Sequence, residues 1–258
     1  MKKHTMEIRL TILSLNLHAG VNWLGRFDPQ GIIELIRDVN PDLCGLQEVD
    51  SHWSKRSNFQ DLPRILATNL MMDAAFFPAL TTGYRAYGNL VLSKYPIINR
   101  WSQLLPDQSE QRSVGCVKLW VAGAKLFFST THLGLSEWDR WQQVNLIRQF
   151  LGQCNGPLIL TGDFNADYQS EAVLLLSAGL QDIQKLSRFG PQGTFRARDG
   201  QVGPRIDYIL ASPEFIVEDF QVIDSWVSDH LPVVAKLRLE QEHLERLGGP
   251  VFYQPVQL

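Results

Sequence analysis

The sequence has few cysteines, and none of them falls in a pattern that would bind zinc or build a disulfide framework. The three residues are Cys44, Cys116 and Cys154, an odd number without the paired spacing of a metal site. Cys44 and Cys116 lie inside apolar runs, which predicts that they are reduced core residues. Because disulfide-poor chains are typical of reducing compartments, we expect a cytoplasmic location.

The chain also lacks long hydrophobic runs and linkers. The basic start MKKHTMEIRL is not followed by the apolar segment of a secretory signal, and no transmembrane segment is evident. There is no internal repeat, low-complexity segment or Ser/Gly-rich linker. We therefore expect a single domain over residues 1–258. It should end in a polar helix and a short extended tail from about residue 249.

The sequence lacks a strong charge of either sign. Its 24 Lys and Arg residues and 27 Asp and Glu residues give a formal net charge of −3. Tight, non-specific binding of nucleic acid depends on a basic surface, so this balance does not support it. A nuclease is not excluded, because a basic groove can be local on a neutral protein. No obligate protein partner is evident.

What the sequence does contain is a series of short apolar runs separated by helical patterns. The strand-like runs are LTILSLNL, DLCGLQEV, GNLVLSKYPI, GCVKLWV, KLFFSTTHL, PLILTGDFN, RIDYILAS and SDHLPVVAKLRL. Helices are predicted in DPQGIIELIRDVN, with Asp28 as N-cap and Pro29 first, in LPRILATNLM, in SEWDRWQQVNLIRQFLGQ from Ser136, and in SEAVLLLSAGL. The stripe that includes Trp138 and Trp141 is predicted to pack in the core. This mixture predicts an α/β fold.

Polar side chains recur at the ends of the strand-like runs. They are Asn16, Gln47, Glu48, His132, Asp163, Asn165, Asp207, Asp229 and His230. In LILTGDFNAD an acid and an amide after a strand are typical turn formers, and Gly162 allows the chain to turn. Several carboxylates at one sheet edge, however, would raise one another's pKa values, and a bound Mg²⁺ would relieve that repulsion. The repetition of the pattern favours a metal site.

Several of these motifs together resemble a known family. LQEV, GNLVLSKYPI, THLGL, GDFNAD, RIDYIL and SDHLPV occur in the order seen in the endonuclease/exonuclease/phosphatase superfamily. That superfamily includes pancreatic deoxyribonuclease, apurinic endonucleases, neutral sphingomyelinases and inositol-polyphosphate phosphatases. EQRSVGC and HLGLSEWDRWQQ resemble its uncharacterised bacterial branch. The resemblance implies a four-layer α/β/β/α sandwich with two mixed β-sheets, and metal-dependent cleavage of a phosphoester by an activated water.

The resemblance also implies a metal site. Glu48 matches the principal metal ligand, and Asn16 and Asp229 complete or border the site, partly through water. The implied cofactor is Mg²⁺, for which Mn²⁺ may substitute. Carboxylate and amide oxygens suit such a hard ion.

A catalytic group is implied in the same way. Asp163 would activate or orient the attacking water, and Asn165 would hold that water and a phosphate oxygen. Asp207 would hydrogen-bond His230, which would contact the scissile phosphate, although the same pair can serve as a structural salt bridge. His132 would face the phosphate and could serve the leaving group. In the pancreatic-nuclease branch a glutamate supports the matching histidine, and no counterpart falls near GYRAYGN.

Three further residues, Asn89, Arg112 and Arg205, are predicted to bind substrate. Arginines around a phosphate site suit several phosphoesters, so nucleic acid, phospholipid and sugar phosphate all remain candidate substrates. The alternative from another functional class is a catalytically inactive binding or scaffold protein on the same fold, which should have lost some motif residues. The remaining histidines are predicted to lie on the surface: His4, His18, His52 and His243.

Overall fold

The computed structural model describes residues 7–187 and 192–240. The longer strands are β1 (Glu7–Asn16), β2 (Leu43–Ser51), β3 (Asp73–Thr82), β4 (Arg85–Ser93), β5 (Ile97–Leu105), β6 (Arg112–Val121), β7 (Ala124–His132), β8 (Leu158–Asp163), β10 (Asp207–Ala211), β11 (Phe215–Val222) and β12 (Val233–Glu240), and β9 (Gln181–Asp182) is short. The helices are α1 (Pro29–Val39), α2 (Leu62–Leu70), α3 (Glu137–Leu151), α4 (Glu171–Ser177) and α5 (Ile183–Leu186). Short 3₁₀ turns cover His18–Gly20 and Lys55–Ser57.

The strands form two six-stranded sheets, ordered β11-β12-β1-β2-β4-β3 and β5-β6-β7-β8-β10-β9. The first sheet contains the parallel pair β1–β2 and the second contains the parallel pair β7–β8. The other neighbouring strands are antiparallel. Both sheets are therefore mixed, as the resemblance implies.

Three hydrophobic clusters hold these layers together. The central cluster lies between the sheets and joins Ile12 and Leu43 of the first to Phe128 and Ile159 of the second. A second cluster packs α3 and α4 on the outer face of the second sheet, and a third packs α1 and α2 on the outer face of the first. Each fully buried aliphatic side chain contributes about 1.5–3 kcal/mol. The result is the α/β/β/α sandwich that the family resemblance implied.

The two sheets approach closely below the strand ends. A Cβ atom on Gly45 of β2 would lie 1.9 Å from Oγ1 of Thr161 in β8. Nearby, Gln47 Nε2 donates a hydrogen bond to Oγ1 of Thr130 across the interface, at 2.9 Å. A side chain at position 45 would force the sheets apart, so this glycine sets the spacing between the two halves of the site described below.

The helix starts follow the capping rules. Asp28 caps α1 by accepting the backbone N–H of Gly31 at 3.0 Å, and Pro29 is the first helical residue. Ser136 caps α3, as predicted. Both caps satisfy donors that the first helical turn leaves without partners.

The prediction that the apolar stripe of α3 packs in the core is wrong for the first residues of the helix. Trp138 and Trp141 are 60% and 43% exposed, and their rings stack on each other with centroids 5.7 Å apart. The inward face is polar there, because Arg140 donates to the backbone oxygen of Leu135 and Gln143 donates to that of Pro106. These carbonyls orient the first turns of the helix, and the tryptophans consequently face outward.

None of the described helices is long and apolar enough to cross a membrane. The polar helix and tail predicted near the end of the sequence lie outside the described residues, as do His4 and His243. His52 lies on the surface, as predicted, and its Nδ1 is 2.9 Å from the backbone oxygen of Phe59.

Candidate functional site

The candidate site lies where the carboxyl ends of the two parallel strand pairs meet. Asn16 of β1 is opposite Gln47 of β2, and His132 of β7 is opposite Asp163 of β8. Asp207 begins the antiparallel strand β10 and is also opposite Asp163. The strand register therefore places three of the predicted catalytic residues on adjacent strands.

Asp163 is the buried centre of this cluster. Its Oδ1 accepts the backbone N–H of Asn165 at 2.9 Å, and its Oδ2 accepts Nδ2 of Asn16 from the other sheet, also at 2.9 Å. A Cβ atom on Gly162 would lie 2.4 Å from the backbone oxygen of Thr131, so the glycine allows β7 and β8 to approach. Asp163 therefore forms a turn and also joins the two sheets at the site.

Asp207 and His230 form a buried pair. His230 Nδ1 lies 2.9 Å from Asp207 Oδ2, which also accepts the hydroxyl of Thr194 at 2.6 Å. His230 Nε2 lies 3.7 Å from Asp163 Oδ2 and thus faces the cluster. Because an ionised carboxylate only accepts hydrogen bonds, Nδ1 of His230 carries a proton.

We expect Asp207 and His230 to act as a unit. Asp207→Asn, His230→Gln and the double variant should have similarly reduced kcat values, because either single change already removes the oriented imidazole. Steady-state kinetics of the four proteins, with thermal unfolding to check the fold, measures this coupling. Losses that multiply in the double variant would show that the two residues act independently.

Glu48 lies at an irregular position in β2. The pairing of β2 with β4 shifts register between Leu46 and Val49, and Glu48 has a φ of 54°. A left-handed conformation costs a non-glycine residue roughly 1–2 kcal/mol. At this bulge the Glu48 carboxylate lies beside the neighbouring strand β1, where Asn16 donates from Nδ2 to Glu48 Oε1 at 3.2 Å. Strained backbone of this kind is common at functional sites.

The side-chain amide of Asn16 connects the two predicted groups. Its nitrogen lies between the carboxylates of Glu48 and Asp163, and its oxygen accepts the backbone N–H of His18 at 2.9 Å. In this arrangement the amide nitrogen, which cannot bind a cation, faces the carboxylates. The predicted ligand role of Asn16 therefore requires its oxygen to turn toward them.

His18 is a site residue that the sequence analysis missed. Its Nδ1 lies 3.3 Å from Oδ2 of Asp229, and its ring is about one-third exposed, at 34%. The hydrogen bond to Asp229 raises the pKa of His18 above its ordinary value, although burial opposes this. The sequence analysis placed His18 on the surface and missed this contact because Asp229 lies far along the chain. The position of His18 two residues after Asn16 was the available signal.

His132 lies on the other side of Asp163. Its Nε2 is 3.4 Å from Asp163 Oδ2 and 3.0 Å from Nδ2 of Asn165, and its Nδ1 is 3.1 Å from Nη1 of Arg112. Arg112 is buried and also pairs with Glu110. Asn89 is buried nearby, and its Nδ2 donates to the backbone oxygen of Ser113 at 2.9 Å. Asn89, Arg112, His132 and Glu48 line one small cavity.

Arg205, in contrast, is held by a structural ion pair. Its guanidinium binds both oxygens of Asp182, with Nη1 at 3.0 Å from Oδ2, and lies over the ring of Tyr208. Both charged side chains are buried, at 4% and 3% exposure. Within the described residues, none of these contacts is to the cluster around Asp163. The substrate-binding role of Arg205 stays a prediction, and a packing role is visible beside it.

We expect Arg205→Lys to lower the free energy of unfolding by about 1.5–3 kcal/mol and to leave KM unchanged. Lysine keeps the charge but loses the two-point contact with Asp182. Urea denaturation measures the loss, and Arg100→Lys, at an exposed arginine of β5, is the control. A raised KM with unchanged stability would instead support the predicted contact with substrate.

Burial and neighbouring charges raise the pKa values of Asp163 and His230 and lower that of His132. Burial raises the pKa of Asp163 to about 7, against the opposing charge of His230. Burial lowers the pKa of His230, but the charges of Asp207 and Asp163 outweigh it and raise the pKa to about 10. Burial, then the charges of Arg112 and His230, lower the pKa of His132 well below its ordinary value. The site therefore pairs one imidazolium with one neutral imidazole at neutral pH.

The donor set fits a hard cation. Asp163, Asp207 and His230 have side-chain atoms within 4.8 Å of one another, and the two carboxylates are the oxygen donors of this group. Oδ1 of Asp207 is buried without a hydrogen-bond partner in the described part of the chain, which is a costly state for a carboxylate oxygen. Glu48 and Asp229 add two carboxylates at the rim. Oxygen ligands of this kind are those that Mg²⁺ and Mn²⁺ prefer.

A cleft of about 720 Å³ opens beside the cluster. Its lining includes His18 and Asp229 together with Trp23, Phe195 and Arg198. The ring of Phe195 also meets His230 edge to face, with centroids 5.2 Å apart. The cleft is therefore continuous with the site, and its volume is within the range of pockets for small ligands.

The chain is similar to a known protein family and to part of one larger protein. A family model described as Endonuclease/Exonuclease/phosphatase family matches residues 13–230. Protein cwh43 of Schizosaccharomyces pombe is 27% identical over 186 residues, which are 70% of this chain but only 19% of that protein. Since the chain spans about a fifth of this relative, most of the relative has no counterpart here.

Two solved structures share the fold. One is an endonuclease/exonuclease/phosphatase family protein from Bacteroides thetaiotaomicron, with a TM-score of 0.77, 20% identity, and coverage of 93% of this chain and 98% of that one. The other is a mannosyl-6-phosphatase from the same organism, with a TM-score of 0.74, 20% identity, and coverage of 88% and 99%. At these identities the likeness concerns the fold alone.

Proposed function

The chain belongs to the endonuclease/exonuclease/phosphatase family, and we propose that it is a Mg²⁺-dependent hydrolase of a phosphoester. Members of this family are generally phosphoesterases. The observation that carries the proposal is the gathering of Asp163, Asp207 and His230 within 4.8 Å of one another at the strand ends, with the carboxylates of Glu48 and Asp229 beside Asn16 and His18. The raised pKa of Asp163, about 7, suits a base that takes a proton near neutral pH.

Each of these side chains has a distinct role in the proposed hydrolysis. Asp163 accepts the proton of a water whose oxygen forms the new bond to phosphorus, as the bond to the leaving oxygen breaks. Asn165 positions that water through the turn that it shares with Asp163. His230, oriented by Asp207, directs its Nε2 proton at the phosphate.

Glu48 and Asp229, with Asn16 after rotation of its amide, would hold the metal ion. Bound Mg²⁺ neutralises phosphate oxygens and stabilises the charge that develops on them in the transition state. The left-handed backbone at Glu48 supports this assignment, because it directs a carboxylate into the site at a cost in stability.

A simple assay tests the proposal against an inactive scaffold. The protein should hydrolyse bis-p-nitrophenyl phosphate with Mg²⁺ or Mn²⁺ and lose this activity with excess chelator. The rival is a binding protein that kept the fold, and complete retention of the acids and histidines argues against it. No hydrolysis by folded, metal-loaded protein would favour the scaffold.

For the substrate class, we propose a phosphoester of a small organic group. The support is the cleft beside His18 and Asp229, together with a net charge of −3. Sugar phosphates, phospholipid vesicles and short DNA should be compared as substrates, since the cleft suits the first group best. In addition, DNA binding by Asp163→Asn should depend weakly on salt, and a log–log slope steeper than about −5 would indicate six or more phosphate contacts and a nuclease.

A cytoplasmic location remains part of the proposal. All three cysteines are free and buried, as expected for a protein in a reducing compartment. Fractionation of the producing cells tests it, and recovery with a membrane or secreted fraction would contradict it.

A further inference from the structure

His132 has a nitrogen-rich environment that restricts where its ring proton can lie. Its Nδ1 is 3.1 Å from Nη1 of Arg112, and its Nε2 is 3.0 Å from Nδ2 of Asn165. Both neighbours are N–H donors. A neutral imidazole has one N–H and one acceptor nitrogen, so it cannot accept from both. Only one of the two short contacts is therefore a hydrogen bond.

The Arg112 contact is the hydrogen bond. A guanidinium is always protonated and has no acceptor, so a proton on His132 Nδ1 would meet a positively charged donor in a buried site. Asn165 has an alternative, because its Nδ2 donates to the backbone oxygen of Leu133 at 2.9 Å. The stronger, charge-assisted donor therefore takes the acceptor nitrogen.

We propose that Arg112 is a positioning residue that holds His132 as the neutral tautomer with its proton on Nε2. The nitrogen that carries this proton, Nε2, lies 3.4 Å from Asp163 Oδ2 in the free protein, and the proton faces a phosphate oxygen when substrate is bound. His132 is then a hydrogen-bond donor and not a general acid, because loss of the Nε2 proton would leave an imidazolate anion. The imidazolium of the cluster is His230, which is paired with Asp207.

Arg112 thus acts on His132 and not on the substrate. Arg112 is only 7% exposed, and its Nη1 is shared between His132 and Glu110. Its charge therefore acts on the ring of His132. The kinetic consequence rests on the proposed phosphoesterase function, whereas the tautomer does not.

Nitrogen–proton correlation NMR of the ring nitrogens tests the tautomer directly. The full-length protein should be labelled with ¹⁵N and recorded in chelator-treated buffer and again with Mg²⁺. The His132 signals are identified by their loss in His132→Gln. We expect an unprotonated Nδ1 and a protonated Nε2 in the wild type and in Arg112→Lys. Arg112→Glu, which places an acceptor beside Nδ1, should shift a proton to Nδ1. A protonated Nδ1 in the wild type would overturn the inference.

Steady-state kinetics tests the positioning role of Arg112 separately. Arg112→Met should lower kcat by roughly 10- to 100-fold, the range typical of partners that orient a histidine, with little change in KM. Arg112→Lys should restore most of the loss, because its ammonium still donates. If Arg112 contacted the substrate instead, KM should rise in both variants, and His132 in Arg112→Met should keep the tautomer that it has in the wild type. That combination would refute the assignment. Absence of turnover in the wild type would count against the proposed function, while the NMR arm would still decide the tautomer.

Discussion

Asp163→Asn is expected to lower kcat by roughly 10²- to 10⁴-fold, the usual contribution of a positioned general base. The amide has the same shape as the carboxyl group but cannot take a proton from water. Asp163 is 1% exposed and lies at the meeting point of both sheets, where its hydrogen bond with Asn16 fixes the carboxylate. Steady-state hydrolysis of bis-p-nitrophenyl phosphate with saturating Mg²⁺ measures the effect.

The same substitution should change how the stability of the metal-free fold depends on pH. Burial raises the folded-state pKa of Asp163 to about 7, against the attraction of His230. An acid whose pKa is higher in the folded state lowers stability as the pH rises above its unfolded-state value, and asparagine does not ionise. Relative to the wild type, the unfolding temperature of Asp163→Asn in chelator should therefore be higher at pH 8 than at pH 5.

Asp167→Asn is a matched control for this prediction. Asp167 belongs to the same motif, is exposed, and accepts the backbone N–H of Gln169 at 3.0 Å. Its loss should leave kcat unchanged. Equal activity of Asp163→Asn and Asp167→Asn would show that Asp163 is a turn residue and not the base.

Glu48→Gln should weaken Mg²⁺ binding and turnover together, each by about 100-fold or more. Even partners outside the ligand shell typically change metal affinity by 10–100-fold, and Glu48 would supply a charged ligand directly. Glutamine adopts the left-handed backbone at the same cost as glutamate, so this strain cancels in the comparison of stability. Calorimetric titration with Mg²⁺ gives the affinity, and thermal unfolding confirms that the variant folds.

Glu34→Gln is the control for a general change of charge. Glu34 is exposed on α1 and accepts a hydrogen bond from Gln30 within the same helix. It should bind Mg²⁺ as the wild type does. Wild-type affinity and turnover in Glu48→Gln would remove Glu48 from the metal site and leave the Asp163, Asp207 and His230 cluster as the remaining candidate.

Much of the architecture could be read from local sequence. Strands appear where short apolar runs are bounded by turn residues, as in LILTGDFNAD. Helices α1 and α3 begin after the capping residues Asp28 and Ser136, because a cap depends on neighbours only three residues away. The motif order implied the family, and the family model supports it over residues 13–230.

Local sequence was less informative where a side chain has partners far along the chain. Strands β3, β5 and β11 were not predicted, although β5 and β11 carry alternating exposed and buried positions. Trp138 and Trp141 have helical spacing, yet polar contacts of Arg140 and Gln143 turn them outward. Periodicity indicates that a helix has two faces but not which face the tertiary contacts will bury.

The amino-acid sequence by itself determined the kinds of residue at the strand ends, and so the chemistry open to the site. Only the tertiary structure decided which of them meet. Two parallel pairs in facing sheets bring Asn16 to Asp163, and the loop before β12 brings Asp229 to His18. The same folding pairs Arg205 with Asp182 and aims Arg112 at His132. The reason is physical: hydrogen bonds and ion pairs act over a few ångströms, and the distance between two side chains depends on strand register and sheet packing and not on sequence spacing.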